Sequence, residues 1–258
     1  MTYTSIQSHL ENPTYELRVA HLYGDLMNTY GDNGNILMLR YVGSKLNCEM
    51  IFDIVSLDDH FKADDYQLAF WGGGQDYEQG IIAEHLSELT DQLRTFIEAG
   101  KPMLAICGGY QMLGKSYTLA DGRPIKCTGI LGHVTENPGN DRIIGDVKIY
   151  NEDFDETYYG FENHGGRTYL AADEKPLGKV IYGGGNNGQS GEEGFIYKNT
   201  FGSYFHGPLL SRNARIAYRL VTTALKQKYG EAIELPAFED ILALEEAGQT
   251  ISDAKRKA

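Results

Sequence analysis

The stretch that most restricts how this chain can fold is Met103-Leu104-Ala105-Ile106, followed at once by Cys107-Gly108-Gly109-Tyr110-Gln111-Met112-Leu113-Gly114. An apolar strand-like run here meets a sharp glycine turn and then helix-forming residues. A side chain held on such an elbow is exposed, the glycine after it permits tight backbone geometry, and the following helix N-terminus favours a thiolate. Cys107 therefore reads as a reactive thiol. Taken alone it could equally be a buried structural cysteine, since free Cys is among the most buried residue types. The rest of the chain decides between the two.

Around the elbow, the first half alternates strand and helix. Leu17 to Tyr23, Met50 to Val55, Leu68 to Trp71 and Met103 to Ile106 are strand candidates, and after the turn-rich Tyr30-Gly31-Asp32-Asn33-Gly34-Asn35 a helix opens at Ile36. Ile82, Leu86, Leu89, Leu93, Phe96 and Ile97 recur at spacings of three or four before Gly100 and Pro102, which predicts a longer helix. Strands separated by helices argue for an α/β fold, an open mostly parallel sheet with helices on both faces, whose sites lie at the carboxyl ends of strands. Cys107 and Gly72 to Gly74 stand at such ends.

The second half changes character. Val147 to Tyr150, Gly160 to Leu170, Lys179 to Tyr182 and Gly194 to His206 are short β-branched or aromatic runs, predicting β-hairpins added to the sheet. Gly183 to Gly188 predicts a flexible loop, and Ala214 to Tyr229 a closing helix. The expected division is a polar N-terminal extension over 1–16, a main domain over 17–230 and a charged, helix-compatible tail over 231–258.

Composition removes several function classes. A chain of 258 residues, 41% hydrophobic, can bury a sizeable core, and its net charge of -13 disfavours nucleic acid or an anionic membrane as a direct partner. Residues 1–16 lack an apolar stretch and no segment approaches a bilayer span, so no membrane insertion and a cytoplasmic location are expected. Cys48, Cys107 and Cys127 have no CxxC spacing, so neither a disulfide framework nor a metal site is suggested. Gly109 to Ser116 satisfies the phosphate-loop pattern G-x-x-x-x-G-K-[ST] by letter, but Tyr110, Gln111, Met112 and Leu113 are bulky and suit a helix better than a phosphate cradle.

A cysteine nucleophile needs a base. His206 ends the strand-like run Gly202-Ser203-Tyr204-Phe205 before Gly207-Pro208, where a sheet presents side chains to a cleft; His164, in Asn163-His164-Gly165-Gly166, is the competitor. His9, His21, His60, His85 and His133 read as surface or packing residues.

The segment Ile106 to Gly114 resembles the nucleophile motif of class I glutamine amidotransferases, in the branch that includes cobyric acid synthase. Leu22 to Asn35, Gly160 to Leu170 and Gly202 to Leu210 look more specifically like the amidotransferase subunits of lipid II isoglutaminyl synthases. The resemblance implies a glutaminase without cofactor that hydrolyses L-glutamine and passes ammonia to a Mur-ligase-like synthetase subunit. That partner, forming a heterodimer, would bring ATP and Mg²⁺ and amidate the D-glutamate of the peptidoglycan stem peptide. Cys107 would be the nucleophile and His206 the acid and base. Backbone N–H groups of Gly73 or Gly74 and of Gly108 would bind the oxyanion. The resemblance also implies Arg142 for the substrate α-carboxylate and Gln111 as a contact to bound substrate or a packing residue.

The sequence departs from the family in one respect. Class I enzymes usually carry an acid two residues after the histidine, whereas this chain reads His206-Gly207-Pro208-Leu209. A dyad, another residue of this chain or an acid of the partner would have to serve, and the partner is the expectation. The alternatives are an amidotransferase for a cobalamin precursor, a cysteine peptidase, or a non-catalytic regulatory homologue. The first usually carries a synthetase domain ahead of the glutaminase, for which a core strand near Leu17 is expected to leave no room. The last would have lost the nucleophile, yet Cys107 and His206 are both present.

Overall fold

The computed structural model of the protein describes residues 10–139, 141–235 and scattered positions between 242 and 249. In chain order the first half runs β1 (Tyr15–Leu22), α1 (Asn33–Lys45), β2 (Cys48–Val55), β3 (Leu68–Trp71), α2 (Asp76–Glu98), β4 (Met103–Ile106) and α3 (Gly108–Leu113). The second half runs β5 (Ser116–Thr118), β6 (Pro124–Lys126), β7 (Val134–Glu136), β8 (Ile143–Asn151), β9 (Glu156–His164), β10 (Arg167–Tyr169), β11 (Gly178–Tyr182), β12 (Glu192–Glu193), β13 (Phe195–Tyr197), β14 (Thr200–Ser203) and β15 (Phe205–His206). It closes with α4 (Leu209–Arg212) and α5 (Ala214–Tyr229).

The central sheet has the order β13-β14-β4-β3-β1-β2. Its strands from β14 to β2 pair in parallel, and β13 adds an antiparallel edge. β3 and β4 are buried at every residue, which is why they read as unbroken apolar runs rather than as alternating ones. α2 buries Ile82, Leu86, Leu89, Leu93, Phe96 and Ile97, the stripe that its sequence period predicts. Each such side chain contributes about 1.5–3 kcal/mol relative to exposure. The helix is stopped by Gly100 at φ +73°, whose N–H bonds Ile97 O.

The second half is built differently from the prediction. Hairpins are present, but most do not extend the central sheet: β10-β7-β5-β6 and β12-β11-β8-β9-β15 form two further sheets, and only β13 and β14 join the first. Gly183 to Gly188 is a loop, as predicted, and a hydrogen-bonded one. Gly184 and Gly185 donate to Glu162 at 2.6 and 2.9 Å, and Asn186 and Asn187 are buried with hydrogen bonds to Tyr110, Gly194 and Thr168. Of the predicted extension over 1–16, Tyr15 and Glu16 already belong to β1, while residues 1–9, including His9, lie outside the described residues. Most of the tail also lies outside them; its Glu245 is buried and accepts from Arg215 N at 2.7 Å. Among the described residues no helix is long and apolar enough to cross a membrane.

Candidate functional site

At the carboxyl ends of β1, β3, β4 and β14 the loops converge on Cys107. The residue has φ 48° and ψ -99°, a left-handed backbone that a side chain adopts only when its surroundings enforce it. Two hydrogen bonds do so: Cys107 N donates to Ser203 O at 2.8 Å, and Gln111 N to Cys107 O at 2.9 Å. Glycine is required next, because a Cβ on Gly108 would come within 2.8 Å of Gly74 N and of Met27 Cε. The elbow is thus pressed against the Gly72 to Gly74 turn. The phosphate-loop look-alike dissolves into α3 and the start of β5, leaving no loop to wrap a phosphate.

His206, fully buried on β15, faces the same turn. A methyl on Gly73 would lie 3.0 Å from His206 Cε1 and 3.4 Å from Cys107 Cβ, so both side chains flank one glycine. The His206 Nδ1 contacts Asp32 Oδ1 at 3.4 Å, and Asp32 Oδ2 accepts Gly73 N–H at 2.6 Å. The first contact is longer than an ordinary hydrogen bond, as catalytic contacts in free enzymes commonly are. With Nδ1 turned to Asp32, Nε2 has no other partner among the described residues and is left for Cys107. Burial pulls the His206 pKa down, but the charge of Cys107 and the hydrogen bond to Asp32 outweigh it and raise the value to about 10. An imidazolium held at neutral pH is the result.

Asp32 is the residue that sequence reasoning missed, and it replaces the expectation that the orienting acid comes from a partner. It lies 174 positions from His206. Its one sequence signal was its place in the turn after the first strand, where a parallel sheet gathers functional side chains. Asp32 also corrects a second reading. Gly73, expected as an oxyanion donor, already gives its N–H to the carboxylate, whereas Gly74 and Gly108 sit beside the elbow.

A cavity of about 740 Å³ opens above Cys107 and is lined by Tyr30, Gln79, Gln111, Arg142, Asn163 and His164 among others. Arg142 therefore lines the same cavity as Cys107. Its Nε and Nη2 donate to Asn163 Oδ1 at 3.0 and 2.8 Å, and Nη2 also to Asn163 O at 2.9 Å. Gln111 is buried at the cavity wall with both amide ends engaged: Oε1 accepts from Gln79 at 2.8 Å and Nε2 donates to Tyr204 at 3.1 Å. That makes it a fixed strut. His164, the competing base, stacks on Tyr204 at 3.7 Å and bonds Gly166 O through Nδ1 at 2.7 Å; burial lowers its pKa. His206, not His164, stands beside the Gly73 position that Cys107 also flanks, whereas the His164 ring is held by Tyr204 and Gly166. His60 and His85 are exposed, and His21 and His133 are buried in packing.

Comparison with known proteins identifies the family. A family model described as the CobB/CobQ-like glutamine amidotransferase domain matches residues 18–214. The chain is 59% identical over its full length to the lipid II isoglutaminyl synthase (glutamine-hydrolyzing) subunit GatD of Streptococcus pneumoniae, covering 99% of that protein. It is 41% identical to the subunit of the same name from Staphylococcus aureus, over 83% of this chain and 86% of that one. A probable cobyric acid synthase of Methanothermobacter thermautotrophicus is 34% identical over 59% of this chain, but only 30% of its own length is matched. The structure of PurLQS from Thermotoga maritima shares the fold at 17% identity, with a TM-score of 0.51 over 82% of this chain and 99% of that one.

Proposed function

The chain belongs to the CobB/CobQ-like glutamine amidotransferase family and is a glutamine amidotransferase; from that premise we propose that it is the glutaminase subunit of a lipid II isoglutaminyl synthase. The observation that carries the reading is Cys107 on a strained elbow, beside a charged His206 backed by Asp32, in a cavity that also holds Arg142.

The proposed chemistry uses these residues in order. Arg142 holds the glutamine α-carboxylate by a charge-assisted fork and places the side-chain amide over Cys107. The thiolate adds to the amide carbon, and the resulting oxyanion is met by the Gly74 and Gly108 N–H groups; one such donor is worth about 3 kcal/mol of transition-state stabilisation. The C–N bond then breaks as His206 gives its proton to the leaving nitrogen, releasing ammonia and a glutamyl thioester. Neutral His206 next takes a proton from water, whose oxygen adds to the carbonyl while the C–S bond breaks and glutamate leaves. Asp32 keeps Nδ1 protonated throughout, as an orienting carboxylate does in other triads.

Ammonia passes to a Mur-ligase-like synthetase in a cytoplasmic heterodimer. That subunit carries ATP and Mg²⁺ and amidates the D-glutamate of the lipid II stem peptide. The cobalamin-precursor alternative rests on lower identity over a smaller part of the chain.

The test is the co-expressed complex supplied with either glutamine or ammonium. Cys107→Ala should lower glutamine-dependent amidation on the order of 10⁴-fold while ammonium-dependent amidation persists. Glutamine hydrolysis retained by the alanine variant would sink the assignment.

A further inference from the structure

Tyr30 stands out because its conformation is unfavourable and its burial is slight. It sits in a left-handed backbone, φ 57° and ψ 28°, although it is not glycine, and half of it is exposed, at 51%. Core packing does not explain such a position, and strained residues of this kind gather at functional sites. What holds Tyr30 is a strap over 28–32. Thr29 N donates to Gly73 O at 3.0 Å on one side of it, and Asp32 takes Gly73 N on the other.

The side chain bound by this strap touches both ends of the site. Its ring meets the His206 imidazole edge-on, with centroids 4.9 Å apart. Its hydroxyl accepts Asn163 Nδ2 at 2.9 Å, and Asn163 in turn holds the Arg142 guanidinium. A continuous path therefore runs from the expected carboxylate anchor to the base: Arg142, Asn163, Tyr30, His206.

We propose that Tyr30 is a positioning residue, its ring fixing His206 against Cys107 and its hydroxyl fixing Arg142 through Asn163. This rests on the glutaminase reading above. The two functions separate by chemistry, because phenylalanine keeps the ring and loses only the hydroxyl. Tyr30→Phe should raise the KM for glutamine about 3- to 10-fold, the worth of one hydrogen bond, with kcat within about twofold of the parent. Tyr30→Ala should raise KM equally and also lower kcat about 10-fold, since an aromatic contact is lost as well. Tyr30 acting only as a structural support would instead give Phe and Ala variants that differ in thermal midpoint but not in the division between KM and kcat.

Steady-state glutamine hydrolysis by the full chain with its synthetase subunit, with Cys107→Ala run beside it, decides the matter. An active parent, a dead Cys107→Ala, and a Tyr30→Phe variant with parental KM would overturn the Tyr30 proposal alone. So would equal kcat in the Phe and Ala variants. A parent complex that does not hydrolyse glutamine, or a Cys107→Ala variant that does, overturns the glutaminase reading and this one with it.

Discussion

Up to Leu113, β1, β2, β3 and β4 pair in parallel with one another, joined through α1, the segment between β2 and β3, and α2. From Ser116 to His206, strands are shared among three sheets, and pairings of chain neighbours such as β8 with β9 are mixed with distant ones; β14 inserts beside β4 after almost a hundred intervening residues, with Thr200 opposite Met103. The first half supplies the nucleophile, its glycine turn and Asp32, and the second supplies His206, Arg142 and Asn163. The difference teaches that the parallel half builds a rigid floor, while the β-rich half reaches over it to place the groups that bind substrate and move protons.

Three substitutions would break or sharpen that contrast. The largest effect is expected from Phe96→Ala, which removes a fully buried ring from α2 in the parallel half. It should cost about 3–5 kcal/mol of stability by chemical denaturation. A loss below 1 kcal/mol, roughly the scale of an ordinary surface change, would mean that this half is not the floor.

Next is Arg142→Ala, in the half that reaches over. It should reduce kcat/KM for glutamine about 10- to 1000-fold with the melting temperature little changed. Parental kinetics would move the carboxylate site elsewhere.

Asp32→Asn should have a smaller but more diagnostic effect, lowering kcat about 10- to 100-fold. His206 is raised to about 10 with help from Asp32, so its proton is lost only as the pH climbs through that region. Removing the carboxylate's charge lowers that pKa. The alkaline limb of the pH–rate profile should therefore move to lower pH. An unmoved limb with unchanged kcat would return the orienting role to an acid outside this chain.

What could be read in the sequence divides instead by how local its signal is. The elbow, β3, β4 and the stripe of α2 were legible because burial on one or both faces writes itself into adjacent residues. His206 was legible because a strand end broken by Gly207-Pro208 is a local signal. Asp32 was not, since acids in glycine-rich turns are commonplace and only the packing of β1 beside β3 brings this one to Gly73. The hydrogen bonding of the glycine loop over 183–188 was hidden for a related reason: it comes from distant Glu162 and from buried Asn186 and Asn187, whose partners composition does not connect.

The bond from Cys107 N to Ser203 O, 2.8 Å long, has a further consequence. It ties the nucleophile's own backbone to a point three residues before the base. A draughtsman would say that both parts are dimensioned from one datum, so errors made elsewhere in the frame do not stack up between them. β15 leaves the central sheet to pair with β9, yet the spacing of sulfur and imidazole is set across Ser203, Tyr204 and Phe205 rather than around the whole second half. Insertions or drift in the β8–β11 region should then alter what the cavity admits well before they misalign the pair that cuts.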